Sequence, residues 1–271
     1  MSRIEEALNK AALRHPGQVA AVAPTPPPPN PAGEAVEIRP VEHMLFTYTS
    51  PNSLIAEEYR KLKECIIRES KREGFNNVLL VTSVNPREGK SVTTLNLAIS
   101  LAQEYDYTVL VVDADLRAPS CHKYLGIEAT VGLTDCLEGR AECSDVLIRS
   151  SVGRLVLLPA GRRAENPVEL LSSNRMRQLL QELKHRYPDR FILIDSPPAK
   201  LFAETRFLAG IADSTLLVVR EGGTSLQDVE ETVLALDQRV MGIVYNGAKD
   251  LPFRDMSQHY YYYAQSDEAA R

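Results

Sequence analysis

Six short apolar runs, almost unbroken by polar residues, recur from residue 78 onward: VLLVT at 78–82, TVLVV at 108–112, LVLL at 155–158, FILI at 191–194, TLLVV at 215–219 and MGIVY at 241–245. Parallel strands covered on both faces read this way, because neither face needs polar residues for water. Segments of helical periodicity separate them, at 90–104, 174–186 and 225–239. Another precedes them in SLIAEEYRKLKECIIRES, whose apolar positions include Leu54, Tyr59, Leu62 and Ile66. Alternation of strand and helix predicts a doubly wound α/β domain with a mainly parallel sheet.

The two ends of the chain follow other patterns. At the start, Ser2 and Glu5 form a capping box, Ile4, Ala7, Leu8 and Ala11 share one helical face, and Pro16-Gly17 stops the helix. Residues 23–40 hold seven of the seventeen prolines, a density that excludes helix and sheet and predicts an extended spacer. The last segment is polar apart from four consecutive tyrosines, Tyr260, Tyr261, Tyr262 and Tyr263. The expected division is a docking helix over 1–22, a proline-rich linker over 23–50, the α/β domain over 51–250 and a flexible tyrosine-rich tail over 251–271.

Charge narrows the partners. A net charge of −5 gives no basic footprint for nucleic acid. Apolar runs fall well short of the roughly 18–20 residues a membrane-spanning helix needs. The start MSRIEEALNK lacks the basic and apolar regions of a secretory signal, so a cytoplasmic chain is expected. Cys65, Cys121, Cys136 and Cys143 are scattered without a C-x-x-C pair, and the five histidines are dispersed. They read as reduced thiols and ordinary histidines, with no metal assigned to them.

Acidic and phosphate-binding chemistry sits at the strand ends. The first run leads into SVNPREGKS and then the helix VTTLNLAISLA, the place for a phosphate-binding loop. There Lys90 would reach the β- and γ-phosphates and Ser91 would ligate Mg²⁺. Val84 stands at the first glycine of G-x-x-x-x-G-K-S, so only Gly89, Lys90 and Ser91 satisfy that pattern. The second run ends in LVVDADLRAP, where Asp113 and Asp115 emerge on the same edge; the fourth ends in FILIDSPP, where Asp195 looks like a Walker B carboxylate.

With the EEYRKLK helix, LVVDADLRAP, IDSPP, ADSTLLVVREGGT, MGIVYNG and the tyrosine run, residues 50–263 resemble the bacterial tyrosine kinases of exopolysaccharide loci. SRIEEALNKA further resembles the form found beside exosortase-type sorting systems. The resemblance implies a P-loop ATPase fold of the deviant Walker A type, related to the partitioning ATPases. It implies an autokinase using ATP and Mg²⁺ that modifies its own Tyr260 to Tyr263. Gly89, Lys90, Ser91 and Val92 would form the phosphate loop. Asp113 would accept the tyrosine proton, Ser91, Asp115 and Asp195 would hold the metal, and Asn246 would recognise adenine. Glu57, Arg60 and Lys63 occupy the oligomerisation motif, with lysine in place of the last arginine, and Arg87 stands where many members have glycine. Implied partners are further copies of the chain, a membrane-spanning polysaccharide chain-length or export protein as activator, and a tyrosine phosphatase. The activator would recruit the chain to the inner face of the membrane. A partitioning-type ATPase and a catalytically silent regulatory scaffold remain alternatives on sequence alone.

Overall fold

The computed structural model describes residues 35–40, 44–72, 75–186, 189–237 and 239–248. One seven-stranded sheet organises them: β1 (Val78–Ser83), β2 (Thr108–Asp113), β3 (Ile148–Arg149), β4 (Leu155–Leu158), β5 (Arg190–Asp195), β6 (Ser214–Arg220) and β7 (Val240–Asn246). The spatial order is β3-β4-β2-β5-β1-β6-β7, and every pairing is parallel except β3 with β4. All six predicted runs are strands. The antiparallel edge, β3, is two residues long, too short to leave a readable alternation.

Alternation along each central strand divides the core in two. Leu80, Leu110, Val112, Ile192, Ile194 and Leu217 face one layer, which holds α5 (Leu133–Leu137), α6 (Pro167–Leu171), α7 (Asn174–Arg186), α8 (Ala203–Ile211) and α9 (Leu226–Ala235). Leu79, Val81, Val109, Val111, Phe191 and Leu193 face the other, with α1 (Phe46–Thr49), α2 (Leu54–Ser70), α3 (Lys90–Ala102) and α4 (Cys121–Leu125). Both faces of the central strands are therefore dry, which is why those strands are mainly apolar, whereas β7 at the edge leaves Ile243 and Tyr245 exposed.

The domain begins earlier than expected. The linker predicted over 23–50 is corrected at its C-terminal part, because residues 35–40 and 44–50 pack onto the sheet and α3. Val36 exchanges backbone hydrogen bonds with Arg149 and Ser151, and Ile38 is buried against the α2–α3 side of the core. Leu45 is fully buried, and Thr47 donates its N–H to Asn96 Oδ1 at 3.0 Å. The Asn96 amide in turn donates to Met44 O and Val92 O. A buried amide so completely satisfied fixes α1 to the helix that follows the phosphate loop. The proline density that predicted extended backbone ends at Pro31, with Pro40 alone beyond it up to residue 50, and Ile38 and Leu45 are anchored and Phe46–Thr49 is helical there. The docking helix over 1–22 and the tail over 251–271 lie outside the described residues. Among those described, no helix is long and apolar enough to cross a membrane.

Candidate active site

β1 delivers the chain into residues 84–89, and Gly89, at φ +93°, is the N-cap of α3. That backbone conformation suits glycine, and a Cβ there would lie 2.1 Å from Asn246 Nδ2. Val84, at the position of the missing glycine, is fully buried in the core. The apolar side chain thus anchors the loop from below. Arg87 adopts φ +65°, a left-handed conformation that costs a side chain about 1–2 kcal/mol and glycine almost nothing. Arg220 caps its carbonyl at 3.4 Å.

Glu88 went unnoticed in the sequence, yet it organises the loop. It is buried, with Oε2 accepting from the Asn85 N–H at 2.8 Å and Oε1 from the Thr224 hydroxyl. The loop is so tied to the REGGT segment after β6. Asn246, at the end of β7, donates its Nδ2 to Glu88 O at 2.8 Å. The residue carried over for adenine therefore lies directly against the phosphate loop. Val92 is part-buried in the first turn of α3.

The three aspartates converge. Asp113 and Asp195 are register partners at the ends of adjacent strands, in phase with Val109–Val111 and Phe191–Leu193. Period two then aims both carboxylates at the α3 side, where the loop lies. Lys90 Nζ lies 2.7 Å from Asp115 Oδ2 and 3.7 Å from Asp195 Oδ2. Ser91 donates its hydroxyl to Asp195 Oδ2 at 2.6 Å. Asp115 also caps its own turn, Oδ1 accepting from the Ala118 N–H at 3.0 Å. Asp113 Oδ2 accepts from the N–H groups of Ser120 and Cys121, whereas its Oδ1 is buried with no hydrogen-bond partner among the described residues.

Burial and crowding set the charges. Desolvation and then the Asp195 charge push the Asp113 carboxyl up to about 7. Asp195 is likewise raised by burial, with Lys90 and the Ser91 hydroxyl opposing. Burial disfavours the Lys90 ammonium, but Asp195 and Asp115 outweigh it and hold the lysine firmly protonated. The Asp115 and Asp195 carboxylates beside the Ser91 hydroxyl offer the oxygen ligands that Mg²⁺ takes, with the Asp113 carboxyl close by. A dication would drive the Asp113 proton off. Mg²⁺-nucleotide binding is therefore expected to release protons, more at about pH 6 than at about pH 8.5, where Asp113 is already ionised. Calorimetry in buffers of different ionisation enthalpy measures this; release independent of pH would contradict it.

Two more groups were not legible in the sequence. Cys121 is fully buried and its Sγ lies 3.5 Å from Asp195 Oδ2. Arg117, of the LVVDADLRAP segment, donates to the buried Glu204 at 2.6 Å and lies over the Phe202 ring. Of the expected oligomer residues, Glu57 and Arg60 pair with each other on α2, and Lys63 pairs with Glu104 of the same chain. Tyr260 to Tyr263 lie outside the described residues.

A family model described as an AAA domain matches residues 86–240. Tyrosine-protein kinase YwqD of Bacillus subtilis is 33% identical over 232 residues, covering 84% of this chain and 94% of that protein. Tyrosine-protein kinase wzc of Salmonella typhimurium is 30% identical over 231 residues, 83% of this chain but 31% of that longer protein. Among solved structures, the kinase domain of the Escherichia coli tyrosine kinase ETK superposes with a TM-score of 0.69 at 28% identity, covering 76% of this chain and 82% of that one. Likeness over nearly the whole of a short kinase and over the kinase domain of another separates this chain from the wider P-loop ATPases that share its sheet. It belongs to the bacterial tyrosine-protein kinases, and is a P-loop protein-tyrosine kinase.

Proposed function

We propose that the chain phosphorylates its own C-terminal Tyr260, Tyr261, Tyr262 and Tyr263, mainly between subunits, and so regulates the synthesis or export of an exopolysaccharide. What carries this reading is the Asp113 carboxylate: buried, with one oxygen unpartnered among the described residues, and raised to about 7 by burial and then by the neighbouring Asp195 charge. A group of that kind is suited to take a tyrosine hydroxyl proton near neutral pH. In the proposed roles, Gly89, Lys90, Ser91 and Val92 hold the phosphates, and Mg²⁺ is held by Ser91, Asp115 and Asp195. Asn246 contacts the adenine from the end of β7. When bound, Mg²⁺ would neutralise phosphate charge; Lys90 adds a fixed positive charge where negative charge develops.

Glu57, Arg60 and Lys63 form the proposed subunit contact. Their charges are already paired within the chain, so assembly exchanges one set of ion pairs for another and is weakly favoured at best. That suits a reversible oligomer. Phosphorylation of four tyrosines adds roughly −6 to −8 charges, more than the net charge of −5 carried by the unmodified chain. Repulsion between such tails loosens the assembly. A membrane-spanning chain-length or export protein recruits and activates the kinase at the inner membrane face, and a tyrosine phosphatase resets the tail.

The test replaces all four tyrosines with phenylalanine. Phosphotyrosine formed with Mg²⁺-ATP is expected to fall at least tenfold, with ATP binding unaltered. Undiminished phosphotyrosine in the quadruple variant would move the acceptor elsewhere.

A further inference from the structure

We propose that Asp113, Cys121 and Asp195 form a site for a thiophilic divalent cation of the Zn²⁺ class, whose binding holds the kinase off. The inference rests on the reading of this cluster as the metal centre and goes beyond it, since Mg²⁺ chemistry has no use for sulfur. One ligand atom from each of the three residues lies within 4.8 Å of the others, and all three residues are buried. Cys121 Sγ is 3.5 Å from Asp195 Oδ2. With Zn–O near 2.0 Å and Zn–S near 2.3 Å, tetrahedral ligands stand roughly 3.5 Å apart, so that edge already has the required length. The Cys121 backbone N–H donates to Asp113 Oδ2 at 3.0 Å, which fixes thiol and carboxylate to one another. Asp113 Oδ1 is the independent sign of a missing ligand, a fully buried carboxylate oxygen without a donor among the described residues.

Thiolate among carboxylates favours Zn²⁺ over Mg²⁺, because Mg²⁺ demands octahedral oxygen and gives up its water reluctantly. Binding replaces the Cys121 S–H bond with a sulfur–metal bond and releases the proton to solvent; nothing is oxidised or reduced. The dication repels the Lys90 ammonium, now 3.7 Å from Asp195 Oδ2, toward Asp115, which already holds it at 2.7 Å. Lysine is then drawn away from the phosphates and Asp113 can no longer accept a proton. Both consequences stop phosphoryl transfer.

Co²⁺, which reports thiolate ligation by absorption, is the probe. The full chain carries a second thiol pair, Cys136 and Cys143, which hydrogen-bond to each other beside a separate cavity of about 230 Å³. The titration therefore uses a Cys65→Ser, Cys136→Ser, Cys143→Ser chain. One equivalent of Co²⁺ is expected to raise a near-ultraviolet thiolate-to-cobalt band. Equimolar Zn²⁺ should abolish it, and a hundredfold excess of Mg²⁺ should leave most of it. Adding Cys121→Ser should remove the band. Its absence from the parent, or its survival in the Cys121→Ser chain, would overturn the proposal. The otherwise native chain gives a second measurement: Zn²⁺ should raise its melting temperature, and Cys121→Ser should cut that rise at least by half. Equal shifts would overturn the idea as well. Phosphotyrosine formation with Mg²⁺-ATP is followed separately in the wild type. Kinase activity without a cobalt band sinks this site alone; a cobalt band without kinase activity sinks the kinase reading alone.

Discussion

Lys90→Met is expected to lower tyrosine phosphorylation by about 10²–10³-fold, the range seen when one preorganised charge-stabilising donor is removed. Lys90 Nζ sits between Asp115 and Asp195 at the start of α3, and the phosphates would take the place that those carboxylates now hold. Methionine keeps the length of the stem and loses the charge. The same substitution has a cost in stability that a surface lysine would not show. It strips the ammonium from a cluster of buried carboxylates, a kind of change that costs about 3–5 kcal/mol when the remaining charge cannot escape. Here it can escape by protonation, and the sign follows. Lys90 lowers the Asp113 carboxyl, so without it Asp113 rises above about 7. A carboxyl raised above its unfolded value stabilises the fold at low pH, and that contribution disappears as pH climbs through the folded value. The metal-free variant should melt close to wild type at about pH 5 and clearly below it at about pH 8. Phosphotyrosine yield and melting curves at the two pH values check both halves. Wild-type phosphotyrosine would remove Lys90 from the phosphate site.

Asp113→Asn is expected to reduce phosphoryl transfer by about 10²–10⁴-fold, the usual contribution of a general base, while ATP affinity changes less than tenfold. The amide oxygen can still accept from the Ser120 and Cys121 N–H groups, so the turn after β2 is preserved. Its nitrogen occupies the place of the unpartnered Oδ1, beside Asp195, and cannot take a proton. Removing one negative charge from the cluster should also stabilise the metal-free protein. Wild-type Asp113 loses its stabilising contribution as pH rises through about 7, and asparagine has none to lose. The variant should therefore melt above wild type at about pH 8 and level with it at about pH 5. An inactive but more stable enzyme is the signature of a strained functional group. Nucleotide affinity falling in parallel with activity would make Asp113 a metal ligand first and a base second.

Much of this molecule was legible in the residues. Runs that are apolar throughout pointed to strands covered on both faces and so to a doubly wound sheet, which the central strands bear out and the edge strand β7, with Ile243 and Tyr245 exposed, does not. Gly89, Lys90 and Ser91 between a strand and a helix marked the expected phosphate loop, and Asp113 and Asp195 stood out by ending apolar strands, with Asp115 two residues on. Tertiary structure decided what pattern cannot carry. β5 inserts between β1 and β2, which makes Asp113 and Asp195 neighbours although 82 positions apart in the chain. Parallel pairing depends on crossovers, and crossover order leaves no local trace. Residues 35–40 and 44–50 joined the domain through isolated contacts of Ile38, Leu45 and Thr47, which no periodicity reveals. Glu88, placed as a surface charge would be in the sequence, became a buried clamp because Thr224 comes to it from the segment after β6, the strand paired with β1. Cys121 gained its meaning in the same way. A lone cysteine is an unremarkable small apolar residue until a fold sets its sulfur beside two buried carboxylates, and that proximity is a property of packing alone.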